Sequence, residues 1–188
     1  MLIIIGITGA SGAIYGIRLL QALSDMKEVE THLIVTAAGA ETVKHETDWE
    51  LNQVYSLADY YYDIDEIGAR LASGSVKRDG MIIAPCTMKT MSAIANAYTD
   101  NLLIRAADVT LKERKKLVLL TRETPLHLGH IRNMEKVTEM GGIILPPIPA
   151  FYHKPQTIED IIDQTVGKVL DIFDIDYSLY RRWQGLKY

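Results

Sequence analysis

Hydrophobic and polar positions alternate with two different periods along the chain. Short β-branched runs such as Leu2–Ile7 are typical of buried strands, and apolar residues repeating every three to four positions are typical of amphipathic helices. The predicted strands are Leu2–Ile7, Thr31–Thr36, Gly80–Ala84, Lys116–Thr121 and Gly142–Leu145. The predicted helices are Ala13–Leu23, Ala38–His45, Met88–Ala97, Leu102–Lys112, His127–Glu139 and Ile158–Phe173. This order predicts an α/β fold, a parallel sheet with helices on both faces.

The alternation continues to residue 175 and predicts a single domain over residues 1–175. The remaining tail, residues 176–188, is rich in aromatic and basic side chains, including Arg181 and Arg182. We expect it to pack on the domain or on a neighbouring subunit, because a free tail rarely carries so much aromatic surface. Tyr55–Ile64 interrupts the pattern and predicts an irregular excursion.

Composition narrows the class of protein. Of the 188 residues, 48% are hydrophobic and 23% charged, and the formal net charge of −4 argues against general nucleic-acid binding. The single cysteine, Cys86, excludes an internal disulfide and fits a reducing cytoplasm. The first apolar run follows no charged segment and is too short to cross a bilayer. We therefore expect a cytoplasmic protein that does not bind membranes.

The turn after the first predicted strand carries the first chemical signal. It reads Thr8-Gly9-Ala10-Ser11-Gly12 and leads directly into a predicted helix. A glycine turn at a helix N-terminus presents free N–H groups and the positive end of the helix dipole, which together bind phosphate. Ligands of parallel sheets lie at the carboxyl ends of the strands, so this turn predicts a phosphorylated ligand there.

The common nucleotides fit this turn unequally. A dinucleotide site would place an acid at the end of the second strand, which instead ends in Val35-Thr36-Ala37. None of the ten tyrosines has lysine four positions later, and no Gly-Lys-Ser/Thr occurs. These absences disfavour NAD and ATP. Hydroxyls at Thr8, Ser11 and Thr36 suit a mononucleotide such as FMN.

Three further segments follow predicted strands. They are Pro85-Cys86-Thr87-Met88-Lys89-Thr90, Arg122-Glu123-Thr124-Pro125-Leu126-His127 and Pro146-Pro147-Ile148-Pro149-Ala150-Phe151-Tyr152-His153. Together with the glycine turn, they closely resemble the UbiX-like flavin prenyltransferases, and the resemblance runs from Gly6 to Trp183. It implies a three-layer Rossmann- or flavodoxin-like sheet and a homo-oligomer, usually a dodecamer. It also implies transfer of a dimethylallyl group from dimethylallyl phosphate to N5 and C6 of reduced FMN, giving prenylated FMN for a UbiD-like decarboxylase.

The resemblance also assigns residues to the site. FMN contacts fall on Gly9, Ala10, Ser11, Thr36, Thr87, Met88, Lys89, Thr90 and Arg122. Dimethylallyl phosphate contacts fall on Tyr152 and Lys168. Arg105, Lys112, Glu46 and Glu123 match positions that line the family's site. Two positions depart from the pattern: Thr87 stands where many members have serine, and Lys168 where arginine is frequent, which loses bidentate binding of phosphate.

The chemistry gives these residues roles. Departure of phosphate needs cations and donors, which Arg122, Lys112, Lys168 and the Tyr152 hydroxyl supply. An allylic cation favours aromatic faces such as those of Tyr152 and Trp183. Ring closure at C6 releases a proton that Glu123 would relay, while Ser11 would position the flavin and Glu46 completes the catalytic set. The sequence has no Asp-rich motif for magnesium diphosphate, so we predict a metal-independent reaction.

Two other functions stay open at this point. FMN-dependent cysteine decarboxylases share the predicted fold, but their Pro-x-Met-Asn segment is replaced here by Pro85-Cys86-Thr87-Met88, and no histidine lies between His45 and His127. A non-catalytic flavin carrier for a decarboxylase would not need Glu123 beside several cations.

Overall fold

A computed structural model of the chain describes residues 1–177, 179–180, 182–183 and 185. It contains one six-stranded, all-parallel sheet with the order β3-β2-β1-β4-β5-β6. The strands are β1 (Leu2–Ile7), β2 (Glu30–Val35), β3 (Tyr60–Tyr62), β4 (Gly80–Cys86), β5 (Lys116–Thr121) and β6 (Ile143–Ile144). The predicted α/β fold is therefore confirmed.

In the described part of the chain, seven α-helices cover the two faces of this sheet. They are α1 (Ala13–Ser24), α2 (Ala37–Glu46), α3 (Leu51–Ser56), α4 (Met88–Ala95), α5 (Leu102–Lys112), α6 (Leu128–Glu139) and α7 (Ile158–Ile172). Apolar residues of α1, α2, α3 and α7 pack against one face, and those of α4, α5 and α6 pack against the other. Among the described helices, none has both the length and the apolarity needed to cross a bilayer.

The stretch around Tyr60–Tyr62 differs from the prediction. It was expected to be irregular, but it forms β3, which pairs with β2 at the edge of the sheet. The helix α3 before it was also not predicted. Both elements are short, three and six residues, and Tyr60 and Tyr61 are exposed, so neither produces a clear hydrophobic period.

The centre of the sheet positions the site. β1 and β4 lie side by side, and the helices that follow them, α1 and α4, cover opposite faces. This is the switch point at which open parallel sheets bind ligands. Gly16 lets α1 lie directly on β4, because a Cβ there would come within 2.3 Å of the Ala84 carbonyl oxygen. The starts of α1 and α4 therefore face one crevice at the carboxyl edge of the sheet.

Candidate functional site

Thr8 joins the two walls of the crevice. Its hydroxyl donates to the Pro85 carbonyl over 2.8 Å and accepts from the backbone N–H of Thr87 over 2.9 Å. Thr8 is 1% exposed, so both bonds are shielded from water. The turn after β1 and the turn after β4 are consequently held at a fixed separation.

Threonine side chains cap two of the helices that begin at this edge. Thr87 accepts from the Thr90 N–H at the start of α4 and donates to the Thr90 hydroxyl. Thr36 accepts from the Gly39 N–H at the start of α2. The remaining first-turn N–H groups of α4 include those of Met88 and Lys89, which have no intrahelical partner in such a helix. Both helices thus direct N–H groups and positive dipole ends toward a ligand at this edge.

The glycine turn between β1 and α1 has almost no spare room. A Cβ on Gly9 would lie 2.5 Å from the Cβ of Ala38 in α2, so only glycine fits without displacement. Gly12 has a φ of 104°, a conformation that glycine adopts without strain. Ala10 and Ser11 lie between them, with Ser11 exposed. The turn is therefore packed closely against α2.

Glu46, at the end of α2, binds the start of α1. Its carboxylate accepts a hydrogen bond from the Gly12 N–H over 2.7 Å. Burial alone would raise the pKa of Glu46, but hydrogen bonds from Gly12, Ser11 and Ala13 and the charge of Arg122 outweigh it and lower the pKa. Glu46 is therefore ionised at neutral pH and lies in the field of the Arg122 guanidinium.

Arg122 and Glu123 directly follow β5 at the same edge. The Arg122 N–H donates to the Cys86 carbonyl over 3.3 Å, which holds this turn beside the turn after β4. Both side chains are exposed, and the Glu123 carboxylate accepts from the Thr124 N–H over 3.1 Å. Cys86 is fully buried, and burial raises the pKa of its thiol, which disfavours a nucleophilic role.

Tyr152, on the loop after β6, forms an aromatic pair with Trp183 of the C-terminal tail. Their ring centroids are 5.9 Å apart with an interplanar angle of 77°, an edge-to-face contact. Tyr152 is 44% exposed and Trp183 56%, so both rings present a face to solvent. The tail residue Arg181 lies outside the described residues.

Three predicted substrate-binding cations, Arg105, Lys112 and Lys168, lie on α5 and α7. Arg105 pairs with Asp108 over 2.6 Å and donates to the Ala72 carbonyl. Lys112 ends α5 near the opposite edge of the sheet and pairs with its neighbour Glu113. Lys168 is exposed on α7 and directly follows Gly167, on which the Tyr180 ring rests.

The sequence does not predict two contacts of the site. One is made by Thr8: the sequence predicts only a hydroxyl near the phosphate, whereas this hydroxyl joins the turns after β1 and β4. The other is the bond between Glu46 and Gly12. Glu46 was assigned by resemblance alone, because its contact with Gly12 depends on how α2 packs beside α1. A hydroxyl directly after a fully buried strand was the available signal for Thr8.

The crevice fits the phosphate of a ligand such as the predicted FMN. The starts of α2 and α4 direct N–H groups to one edge, and the Gly9 turn packs so closely on α2 that a Cβ would lie 2.5 Å from the Ala38 Cβ. Arg122 adds a cation, and the buried hydroxyl of Thr121 at the end of β5 has no hydrogen-bond partner among the residues that the structure describes. Among the described residues, no group of three or more histidine, cysteine, aspartate or glutamate side chains is placed to hold a metal ion.

Comparison with known proteins gives consistent matches along the chain. Residues 1–178 match the flavoprotein family model. The flavin prenyltransferase UbiX of Thauera aromatica is 56% identical over 185 residues, covering 98% of this chain and 95% of the relative.

Solved structures agree with this match. A dodecameric FMN-dependent UbiX-like decarboxylase from Escherichia coli O157:H7 superimposes with a TM-score of 0.97 at 46% identity, covering 98% of this chain and 100% of that one. A UbiX protein in complex with FMN and dimethylallyl pyrophosphate also gives 0.97, at 49% identity, covering 99% and 98%. The epidermin biosynthesis protein EpiD from Staphylococcus aureus gives 0.58 at 20% identity, covering 80% and 85%, and shares the fold alone.

Proposed function

Because the chain belongs to the UbiX-like flavin prenyltransferase family, we propose that it transfers a dimethylallyl group from a dimethylallyl phosphate ester to N5 and C6 of reduced FMN. The observation that carries this proposal is the 56% identity with a flavin prenyltransferase over 185 residues. The crevice supports it independently, since its donors and its cation suit two phosphorylated ligands. Cysteine decarboxylation has weaker support, since the compared enzyme of that type shares only the fold.

The flavin would lie between the turns that Thr8 joins. Reduced FMN supplies the electron-rich N5 and C6 atoms. We assign its binding to Gly9, Ala10, Ser11, Thr36, Thr87, Met88, Lys89, Thr90 and Arg122. Their backbone N–H groups and hydroxyls bind phosphate and ring edges, and the fixed separation of the turns orients the ring before the donor arrives.

The donor would bind on the exposed side of the crevice. As its C–O bond breaks, negative charge grows on the phosphate, and Arg122 and the Tyr152 hydroxyl stabilise it. The allylic carbon becomes positive and is stabilised by the faces of Tyr152 and Trp183. The N5–H proton would leave with the phosphate as the N5–C bond forms. Closing the ring at C6 would consume the C=C bond that remains in the prenyl group, and Glu123 would move the proton released at C6 to that double bond. Ionised Glu46 holds Ser11 and Gly12 in place for this geometry.

Oligomer formation would bring in the remaining cations. Arg105 and Lys112 pair with Asp108 and Glu113 of their own chain, and we propose that they and Lys168 contact the donor bound to a neighbouring copy. A dodecameric assembly, the state of the similar Escherichia coli protein, provides such copies. We further propose a cytoplasmic location and a UbiD-like decarboxylase as the recipient of the prenylated FMN.

Anaerobic incubation of the protein with reduced FMN and a donor tests this function. One arm contains dimethylallyl phosphate, a second contains the diphosphate, and a third lacks protein. We expect mass spectrometry to detect one added prenyl unit on the flavin in the first arm. A flavin that is bound but unmodified in both donor arms would show that the protein is a carrier. Product in the second arm alone would change the donor to the diphosphate.

A further inference from the structure

The described part of the C-terminal tail folds back along α7. We call Leu179, Tyr180, Arg182 and Trp183 the C-terminal strap. Asp171, in the last turn of α7, anchors it by accepting from the Tyr180 hydroxyl over 2.9 Å and from two Arg182 nitrogens over 3.0 and 2.5 Å. One carboxylate thus holds two residues of the strap, and a paired Arg–carboxylate contact also restricts orientation.

Gly167 on α7 leaves room for the Tyr180 ring of the strap to pack directly on the helix. A Cβ on Gly167 would lie 2.5 Å from Cδ1 and 2.6 Å from Cε1 of Tyr180, so the ring rests where any other side chain would be. Burial, together with the bond to Asp171, raises the pKa of Tyr180 to about 12. The phenol therefore stays protonated and donates to Asp171 throughout the neutral range.

The strap ends at the aromatic pair of the candidate site. Arg182 directly precedes Trp183, and the Trp183 ring meets Tyr152 edge-on at 5.9 Å. Tyr152 belongs to the loop that joins β6 to α7, whereas Asp171 lies at the far end of α7. The strap therefore runs from Asp171 and Gly167 on α7 to the loop before α7 and places Trp183 beside Tyr152.

We propose that Asp171 and Gly167 are positioning residues that hold Trp183 against Tyr152, the pair to which the proposed function assigns the allylic cation. The second half of this statement rests on the proposed function. More than half of the Trp183 surface is exposed, so the ring has few other contacts to fix it. Loss of the anchor leaves the Tyr152 face available but removes the second π-face from the developing cation.

The tryptophan content of the chain permits a direct test. Trp49 and Trp183 are its two tryptophans, so Trp49→Phe leaves Trp183 as the single reporter. In that background we expect Asp171→Asn and Gly167→Ala each to shift Trp183 emission to longer wavelength and to increase acrylamide quenching. We also expect kcat/KM for dimethylallyl phosphate to fall about tenfold, with the Kd for FMN unchanged. The two variants release the strap in different ways. Asp171→Asn removes the charge that binds Arg182, and Gly167→Ala adds a methyl group that overlaps with the Tyr180 ring.

Matched variants provide the controls. Asp174→Asn removes an exposed acid that pairs with Lys116 just beyond α7, and Gly68→Ala adds a Cβ with no neighbour within 4 Å. Both should retain wild-type emission and kinetics. Far-UV circular dichroism verifies that all variants fold.

Three results would overturn the proposal. Unchanged Trp183 emission in folded Asp171→Asn and Gly167→Ala would show that these residues do not hold Trp183. Shifted emission with unchanged kcat/KM would show that the strap is purely structural. A rise in the Kd for FMN parallel to the kinetic loss would show a general effect on the domain. If the wild-type protein forms no prenylated flavin, the proposed function is wrong, and so is the role of Trp183 and Tyr152 in binding the donor. The emission of Trp183 in the variants would still show whether Asp171 and Gly167 hold Trp183 in place.

Discussion

The carboxylate of Glu46 accepts a hydrogen bond from the backbone N–H of Gly12 over 2.7 Å, so the end of α2 caps the start of α1. This contact joins two elements that follow different strands. It also places a negative charge within the field of Arg122 at the edge where the flavin is proposed to bind.

Replacement of Glu46 by glutamine should lower both activity and stability. The amide can still accept a hydrogen bond from the Gly12 N–H, but the negative charge that interacts with the N-terminus of α1 is lost. We therefore expect the free energy of unfolding at pH 7 to decrease by about 1 kcal/mol. The pKa of Glu46 is lowered in the folded state, so its contribution is present above the usual value of about 4.5 and is lost as the pH falls below it. Urea denaturation at pH 7 and pH 3.5 measures this difference. An equal difference at both pH values would contradict the charge effect.

Glu123→Gln should bind FMN normally and lose turnover. Loss of a general acid or base typically lowers the rate by about 10²- to 10⁴-fold. Anaerobic single-turnover assays with a flavin-binding titration separate the two effects. Glu135→Gln, on the exposed surface of α6, is the matched control and should behave like the wild type. Wild-type product formation by Glu123→Gln would remove the proton-relay role.

Gly9→Ala should weaken FMN binding more than tenfold while the domain stays folded. The new Cβ would lie 2.5 Å from the Ala38 Cβ and 3.0 Å from its carbonyl carbon, so the turn after β1 must move away from α2. Fluorescence titration of FMN measures the effect. Gly68→Ala, which meets nothing within 4 Å, controls for loss of glycine flexibility. Equal affinities in the two variants would show that the turn is not part of the flavin site.

His32 should make the stability of the edge of the sheet depend on pH. Its fully buried ring lies 2.6 Å from the Glu30 carboxylate and 3.1 Å from the Tyr62 hydroxyl, and burial lowers its pKa despite the neighbouring acid. Because the folded state disfavours protonation of His32, the contribution of neutral His32 to the free energy of unfolding is fully present above about pH 6.5. It falls as the pH drops below that value, by up to about 1.4 kcal/mol for each unit by which the pKa is lowered.

Denaturation of His32→Gln between pH 5 and pH 7.5 tests this dependence. The variant should lose part of the slope that the wild type shows below pH 6.5. His45→Gln, at an exposed position on α2, should retain the wild-type slope. Identical slopes for His32→Gln and the wild type would contradict the assignment.

A strong chelator should leave the prenylation rate unchanged. Phosphate leaves with help from Arg122 and other protein donors in the proposed mechanism, so no divalent cation is required. The measurement compares initial rates with and without EDTA. Activity that is lost with EDTA and restored by magnesium would demonstrate a metal requirement.

Elements with strong local signals were predictable from the sequence. β1, β5 and α5 have the predicted bounds, because their apolar periods begin and end sharply at polar or glycine residues. The last strand was predicted over Gly142–Leu145, but only Ile143–Ile144 pair with β5. The second strand ends one residue earlier than predicted because Thr36 serves as the cap of α2.

The candidate site was predictable only in its local parts. Turns after strands place Gly9, Thr87 and Arg122 at one edge by topology alone. The positions of Arg105 and Lys168 depend on how far along a helix each residue lies and on which side chains pair with it. Such relationships arise from packing between distant segments, and sequence spacing does not encode them.

The hydroxyl of Thr8 has a mechanical consequence for catalysis. Since it bonds both Pro85 and Thr87, the turns after β1 and β4 form one rigid wall of the crevice. A flavin that gains a fourth ring needs more clearance than the flavin that entered. That clearance has to come from the opposite side, where residues 123–127 and Tyr152 are exposed. Movement of those loops, rather than of the wall that Thr8 holds together, would therefore set the rate at which the prenylated flavin is released.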